Sequence, residues 1–172
     1  FSTPFDRDSA EYLLKDLKLP IIKVASFYSS NNELFNYISK FKTDIIVSLG
    51  MTKLSEVKKL INKYSKKNTL ALLHCVTSYP NKDEDSNLSG IYTLKNEFNN
   101  IIGYSDHTDG IEVPILSVAA GAKIVEKHFM VNQKDKVIDK AVSIDSKSFK
   151  DMVSKIRKTE KILGSDKIKV RN

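Results

Sequence analysis

Residues 103–129 read GYSDHTDGIEVPILSVAAGAKIVEKHF, and the order of these residues decides what kind of fold the chain can form. A short apolar strand through Ile101 and Ile102 runs into Ser105, Asp106 and His107. A helical segment follows, and a second strand, Ala122 to Val125, ends in Glu126, Lys127 and His128. Two of the three histidines of the chain therefore stand just past the ends of successive strands. If those strands are parallel neighbours, both imidazoles open onto one rim. That is the geometry of a metal site or of an acid–base pair.

The same alternation extends outward in both directions. Towards the N-terminus, Leu70–Leu73 is a strand that runs into His74 and Cys75, Ile45–Val47 is another, and Ile21–Ala25 is a third, interrupted by Lys23. Phe1–Phe5 reads as the stub of a further strand, which brings the count to six. Between the strands, apolar residues fall at helical spacing: Leu34, Tyr37, Ile38 and Phe41; then Val57, Leu60, Ile61 and Tyr64; then Leu88, Ile91, Leu94 and Phe98. A first helix over Ala10–Leu17 is expected to be capped by Ser9. A last one, carrying Phe149, Met152, Val153, Ile156 and Leu163, is expected to be capped by Ser146 and to stop at Gly164.

Apolar strands alternating with amphipathic helices predict an α/β fold with a parallel sheet covered by helices. An open doubly wound sheet and a (β/α)8 TIM-type barrel both satisfy that pattern. No strand is followed by the glycine-rich turn of a dinucleotide fold, which weakens the first. Almost every strand delivers polar residues at its C-terminal end: Ser26, Ser48, Thr77 with Ser78, Ser105 with His107, and Glu126 with His128. Barrels assemble their active sites there. A full barrel has eight strands, so residues 1–172 are expected to form a partial barrel domain of about six β/α units that lacks the first two strands.

Composition narrows the class. The 172 residues, 41% hydrophobic and 28% charged, describe a soluble globular chain large enough for a real core. No apolar run approaches the ~20 residues of a membrane span, and no signal-peptide pattern opens the chain. The single cysteine, Cys75, excludes an internal disulfide and fits a reducing compartment, so the cytoplasm is the expected location. The formal charge is +7, but lysines such as Lys58, Lys59, Lys66, Lys67, Lys150, Lys155, Lys158 and Lys161 are scattered over expected helix surfaces. No recognition motif accompanies them, so a nucleic-acid partner is not expected.

Four residues carry the chemical reading. As neutral imidazoles, His107 and His128 suit divalent ions, although two histidines leave the ligand set incomplete; the alternative is a pair of hydrogen-bonded residues at strand ends. Lys23 stands within an apolar strand, where an unpaired ammonium is costly to bury, and a phosphate or carboxylate ligand would satisfy it. Glu126 shares a strand face with His128. It is a candidate acid or base, or a partner for Lys23. His74 is expected to be a hydrogen-bonded core residue and Cys75 a small core hydrophobe.

Six segments, FSTPFD, IKVAS, IIVSLGM, LLHCVTSYP, GYSDHTDG and IVEKHF, occur in this order. Together they resemble the sialic acid synthase family, the N-acetylneuraminate synthases with their legionaminic and pseudaminic acid relatives. The resemblance runs from Phe1 to about Leu163 and implies a (β/α)8 barrel. Such a barrel condenses phosphoenolpyruvate with the open-chain form of an N-acylated aminosugar, giving a nine-carbon 2-keto acid and phosphate. It implies His107 and His128 as ligands of Mn2+, with Mg2+ or Co2+ as alternatives. Lys23, Ser48, Thr77 and Ser105 take phosphoenolpyruvate-binding positions, Tyr79 and Asp139 take sugar-contacting ones, and Glu126 and Lys23 are the catalytic candidates. It also implies a cytoplasmic homodimer and a C-terminal antifreeze-like domain that this chain does not contain, so that the chain reads as an internal stretch of a longer protein or a truncated product, inactive alone. Departures stand beside the matches. Tyr28 occupies a position that is often a carboxylate in the family, Val137-Ile138 replaces a usual Gly-Pro, Lys140 stands where a histidine often follows Asp139, and Asn132 replaces a frequent acid. A non-catalytic remnant and a different metal-dependent barrel enzyme are the competing readings.

Overall fold

The structure, a computed structural model, describes residues 1–65, 68–132, 134, 136–165 and 167. Among the described residues there are six strands, and helices separate them except between the last two, where only a 3-10 turn, Lys140–Val142, intervenes. In chain order they are α1 (Arg7–Glu11), β1 (Ile21–Val24), α2 (Asn32–Ile38), β2 (Asp44–Ser48), α3 (Leu54–Tyr64), β3 (Leu70–Cys75), α4 (Ser89–Glu97), β4 (Ile101–Asp106), α5 (Glu112–Ala119), β5 (Val125–Phe129), β6 (Ser143–Ile144) and α6 (Ser146–Leu163). The strands lie side by side in sequence order, and every neighbouring pair is parallel. Each βαβ step thus moves one strand along the sheet, which is the winding of a (β/α) barrel. The sheet is the curled part-barrel expected from the sequence.

Burial explains the winding. β1 to β4 are apolar on both faces because helices cover one and the barrel interior the other; Ile22, Val24, Val47, Leu72 and Leu73 are at 0% exposure. The helices contribute Leu34, Phe35, Ile38, Val57, Leu60, Ile91 and Leu94 to the same core. A second, smaller cluster joins Ile111, Ile144 and Met152, seating α6 against β6 and the start of α5. The scattered lysines Lys58, Lys59, Lys150, Lys155, Lys158 and Lys161 are exposed; Lys66 and Lys67 lie outside the described residues. Among the described residues no helix is long and apolar enough to cross a membrane.

Four sequence expectations need correction. Phe1–Phe5 does not form a strand: only Ser2 bridges to Ile22. The sixth strand is instead Ser143–Ile144, too short to show a pattern of its own. The first helix starts earlier, because Asp6 rather than Ser9 caps it; its carboxylate accepts from the Ser9 amide at 2.7 Å, and the helix passes into a π turn over Tyr12–Asp16. Likewise Asp145, not Ser146, caps α6, accepting from the Ser148 amide at 2.8 Å, while Gly164 ends it as expected. Finally, β5 begins three residues later than its apolar run, so Glu126, Lys127 and His128 lie within the strand.

Candidate functional site

The C-terminal ends of β1 to β5 surround a cavity of about 540 Å³. Lys23, Ser48, Ser105, His107, Glu126 and His128 all line it, and Tyr79 and Asp139 close its rim. Strand alternation accounts for the convergence. Ser105 and His107 sit two apart on one chain segment, as do Glu126 and His128 on the next, so each pair projects to the same side. The β4–β5 register sets Ser105 opposite Glu126.

At the floor, Lys23 is buried and its Nζ lies 3.1 Å from Glu126 Oε1. The Ser105 hydroxyl donates to the same carboxylate oxygen at 2.7 Å. The Glu126 side chain remains 36% exposed towards the cavity, so the pair is a floor rather than a sealed core contact. Beside it the Ser48 hydroxyl is buried and has no hydrogen-bond partner. A buried, unsatisfied hydroxyl next to a buried ammonium is the donor arrangement an anion would complete.

Thr77 does not reach the cavity. Its hydroxyl donates to Ser26 Oγ at 3.0 Å, and Ser26 lines the wall in its place. Gly50 permits this, because a Cβ there would stand 2.1 Å from Thr77 Oγ1. Tyr28 also turns away from the cavity and packs edge-on against Phe5 at 5.4 Å. Phe5 and Phe27, which sequence reasoning did not single out, form the apolar part of the wall. No periodicity marks them, since Phe5 lies in a bend and Phe27 in a single 3-10 turn, Ser26–Tyr28.

At the rim, the rings of His107 and His128 are 5.4 Å apart, and Tyr79 stacks on His107 at 4.1 Å. His107 Nδ1 is 2.8 Å from the Val76 carbonyl. A carbonyl only accepts, so Nδ1 carries the proton and Nε2 presents its lone pair. Burial pushes the His107 pKa below the ordinary imidazole value, with a further lowering from His128, and so favours the neutral form. His128 Nδ1 lies 3.5 Å from Asp139 Oδ2. Burial, followed by the nearby Cys75, Asp139 and Glu126, raises the Tyr79 phenol to about 12.

Among the described residues no group of three or more His, Cys, Asp or Glu side chains could hold a metal ion. The two imidazoles nevertheless fit one as partial ligands, with the remaining positions left to water or substrate oxygens, as in catalytic sites that keep open positions. His74, as expected, is a half-buried structural residue with Nε2 3.0 Å from the Ser86 carbonyl. Cys75 is buried as expected, but its Sγ lies 3.8 Å from His107 Nδ1, a contact that sequence distance conceals. The sequence reading also passed over a buried pair behind the rim, Asp106 with Lys127. Lys127, like Lys23, is a lysine within a strand, a signal that emerges only when β5 is extended past Val125.

A part-barrel whose strand ends converge on one cavity, lined by Lys23, Ser48, Ser105, Glu126 and two imidazoles, defines the class: a (β/α)-barrel protein. The chain belongs to the NeuB family, which it matches over residues 1–168. It is 38% identical over 170 residues to the pseudaminic acid synthase of Campylobacter jejuni serotype O:2, covering 98% of this chain and 49% of that protein. It is 37% identical over 167 residues to the N,N'-diacetyllegionaminic acid synthase of the same strain, covering 95% and 50%. The crystal structure of the N-acetylneuraminic acid synthetase of Leptospira borgpetersenii superposes with a TM-score of 0.93 at 38% identity, over 98% of this chain and 59% of that one. The chain spans about half the length of the curated relatives it matches.

Proposed function

We propose that the protein carrying this chain condenses phosphoenolpyruvate with the open-chain aldehyde of an N-acylated hexosamine, giving a nine-carbon 2-keto acid and releasing phosphate. The observation that carries this reading is the buried Lys23 ammonium beside the unpartnered Ser48 hydroxyl, under two imidazoles that share one cavity. Such a cavity suits an anion and a divalent cation side by side. Its relatives named as pseudaminic and legionaminic acid synthases, and the N-acetylneuraminic acid synthetase structure, support the substrate class.

In this reading Lys23, Ser48 and Ser105 hold the phosphate and carboxylate of phosphoenolpyruvate, while Thr77 acts at one remove by fixing Ser26. Tyr79 and Asp139 meet the sugar from the rim. His107 and His128 hold Mn2+, or Mg2+ or Co2+ in its place; when bound, the ion supplies Lewis acidity for the aldehyde oxygen. The C2=C3 π pair of phosphoenolpyruvate bonds C3 to the aldehyde carbon while the carbonyl π pair moves to its oxygen, which is protonated to a hydroxyl; water adds at C2 and gives up its protons, and the C2–O bond to phosphate breaks to leave the 2-keto group. Holding both substrates in one cavity converts a bimolecular encounter into an oriented one. Glu126, bonded to Lys23 and Ser105 yet open to the cavity, is the group assigned to carry the proton lost by the attacking water. In this reading the full-length protein acts as a cytoplasmic homodimer, as the resemblance to the synthase family implies.

Phosphate release from phosphoenolpyruvate and N-acetylmannosamine by the full-length protein in the presence of Mn2+ tests the proposal. Turnover with this or another N-acylated hexosamine is expected. Absence of turnover with every such sugar would leave the non-catalytic reading standing.

A further inference from the structure

Lys127 is a second buried lysine, and it does not face the cavity. Asp106 on β4 and Lys127 on β5 are register partners. Strand alternation turns them to the helix side, while Ser105, His107, Glu126 and His128 face the cavity. Lys127 lies in the groove floored by β5 and walled by α5 and α6. Its side chain and that of Asp106 are 1% and 0% exposed, and its Nζ is 2.6 Å from Asp106 Oδ2. The same ammonium also donates to the Thr108 carbonyl. The Thr108 hydroxyl in turn donates to the Asp106 carboxylate, 3.0 Å from each oxygen. Lys127 thus grips the residues on both sides of His107, and its own next neighbour is His128.

A buried ion pair is a poor way to gain stability, because desolvation offsets most of the attraction and an apolar pair of similar volume is usually as stable or more so. What charge-assisted hydrogen bonds add is direction and length. We propose that Asp106 and Lys127 are a positioning pair that fixes the His107 imidazole against that of His128, and so sets the span of the cation site. The inference rests on the reading that these two imidazoles hold a divalent ion. It is distinct from that reading, because neither Asp106 nor Lys127 touches the cavity.

The test is Mn2+ titration followed by electron paramagnetic resonance, comparing the parent with the double variant Asp106→Leu/Lys127→Met. The double variant leaves no unpaired buried charge, although the buried Thr108 hydroxyl and carbonyl lose their partners, so its circular dichroism is expected to match the parent's with a modestly lower Tm. Its Mn2+ affinity is expected to fall by about 10- to 100-fold, the effect typical of groups that orient metal ligands. A double variant that binds Mn2+ as tightly as the parent, or that fails to fold, overturns the positioning role. A parent that takes up no Mn2+ overturns the cation reading itself, and this inference with it.

Discussion

The two imidazoles of the rim face each other at 5.4 Å, yet the chain holds them by different means. His107 is buried at 5% exposure, and its Nδ1 and backbone carbonyl are engaged while Nε2 stays open to the cavity. Its Nδ1 meets the Val76 carbonyl, its own carbonyl accepts from the Asn81 amide at 2.8 Å, and the residues beside it are gripped by Lys127. The His128 side chain is 31% exposed, and its Nδ1 lies 3.5 Å from Asp139 Oδ2, on a side chain itself 48% exposed. One half of the site is preorganised by the barrel, and the other stands at an open rim. Preorganisation suits a ligand that must keep one geometry, and openness suits the side where a variable sugar enters.

Substitution should break that symmetry. His107→Ala is expected to lower Mn2+ affinity by more than about 100-fold, beyond the range for orienting groups, and also to destabilise the fold by about 1–3 kcal/mol, since the Val76 carbonyl loses its donor. His128→Ala should match the loss of affinity while changing stability by no more than about 0.5 kcal/mol, as for other open positions. Metal titration and thermal melts on the two variants separate these outcomes, and equal Tm losses would erase the contrast. Asp139→Ala should sharpen it with a smaller effect: about a tenfold loss in Mn2+ affinity with Tm unchanged, read by the same two measurements.

A pH experiment tests the buried half further from the rim. Burial lowers the His74 pKa below 6.5. The unfolded chain therefore takes up its proton before the folded one does, and stability falls as pH drops below 6.5 towards the depressed folded value. The contribution is full above pH 6.5, and its slope is at most about 1.4 kcal/mol per pH unit. In His74→Gln the plot of Tm against pH should flatten below pH 6.5; an unchanged slope would remove His74 from the account. The smallest expected effect is that of Tyr28→Phe. The ring packs on Phe5 outside the cavity, so stability and Mn2+ binding should both stay within about 0.5 kcal/mol of the parent.

The contrast also explains what was legible in the sequence. Strand–helix alternation was enough to bring His107 and His128 to one rim, because in a parallel sheet of sequential order each strand end lies beside the next. Lys23 was visible as a charge in an apolar run, and Glu126 is indeed its partner. Failures arose where a local signal was ambiguous or short. Ser9 and Asp6 are both capping types, and the structure uses Asp6. β6 has two residues and no alternation to read. Asp106–Lys127 was missed because the apolar run Ala122–Val125 drew the strand boundary too early, leaving Lys127 outside it. Thr77 was assigned by position alone, which cannot distinguish a wall residue from the residue that supports it.

The central claim is that His107, His128 and Lys23 serve one cavity holding a cation and an anion together. Electron paramagnetic resonance of Mn2+ with and without phosphoenolpyruvate tests it most directly. The account predicts that the parent binds Mn2+ and that phosphoenolpyruvate alters the bound spectrum. It also predicts that Lys23→Met loses the response to phosphoenolpyruvate and that the His107→Ala/His128→Ala double variant loses Mn2+ binding altogether. Equal Mn2+ binding by the parent and that double variant would contradict it.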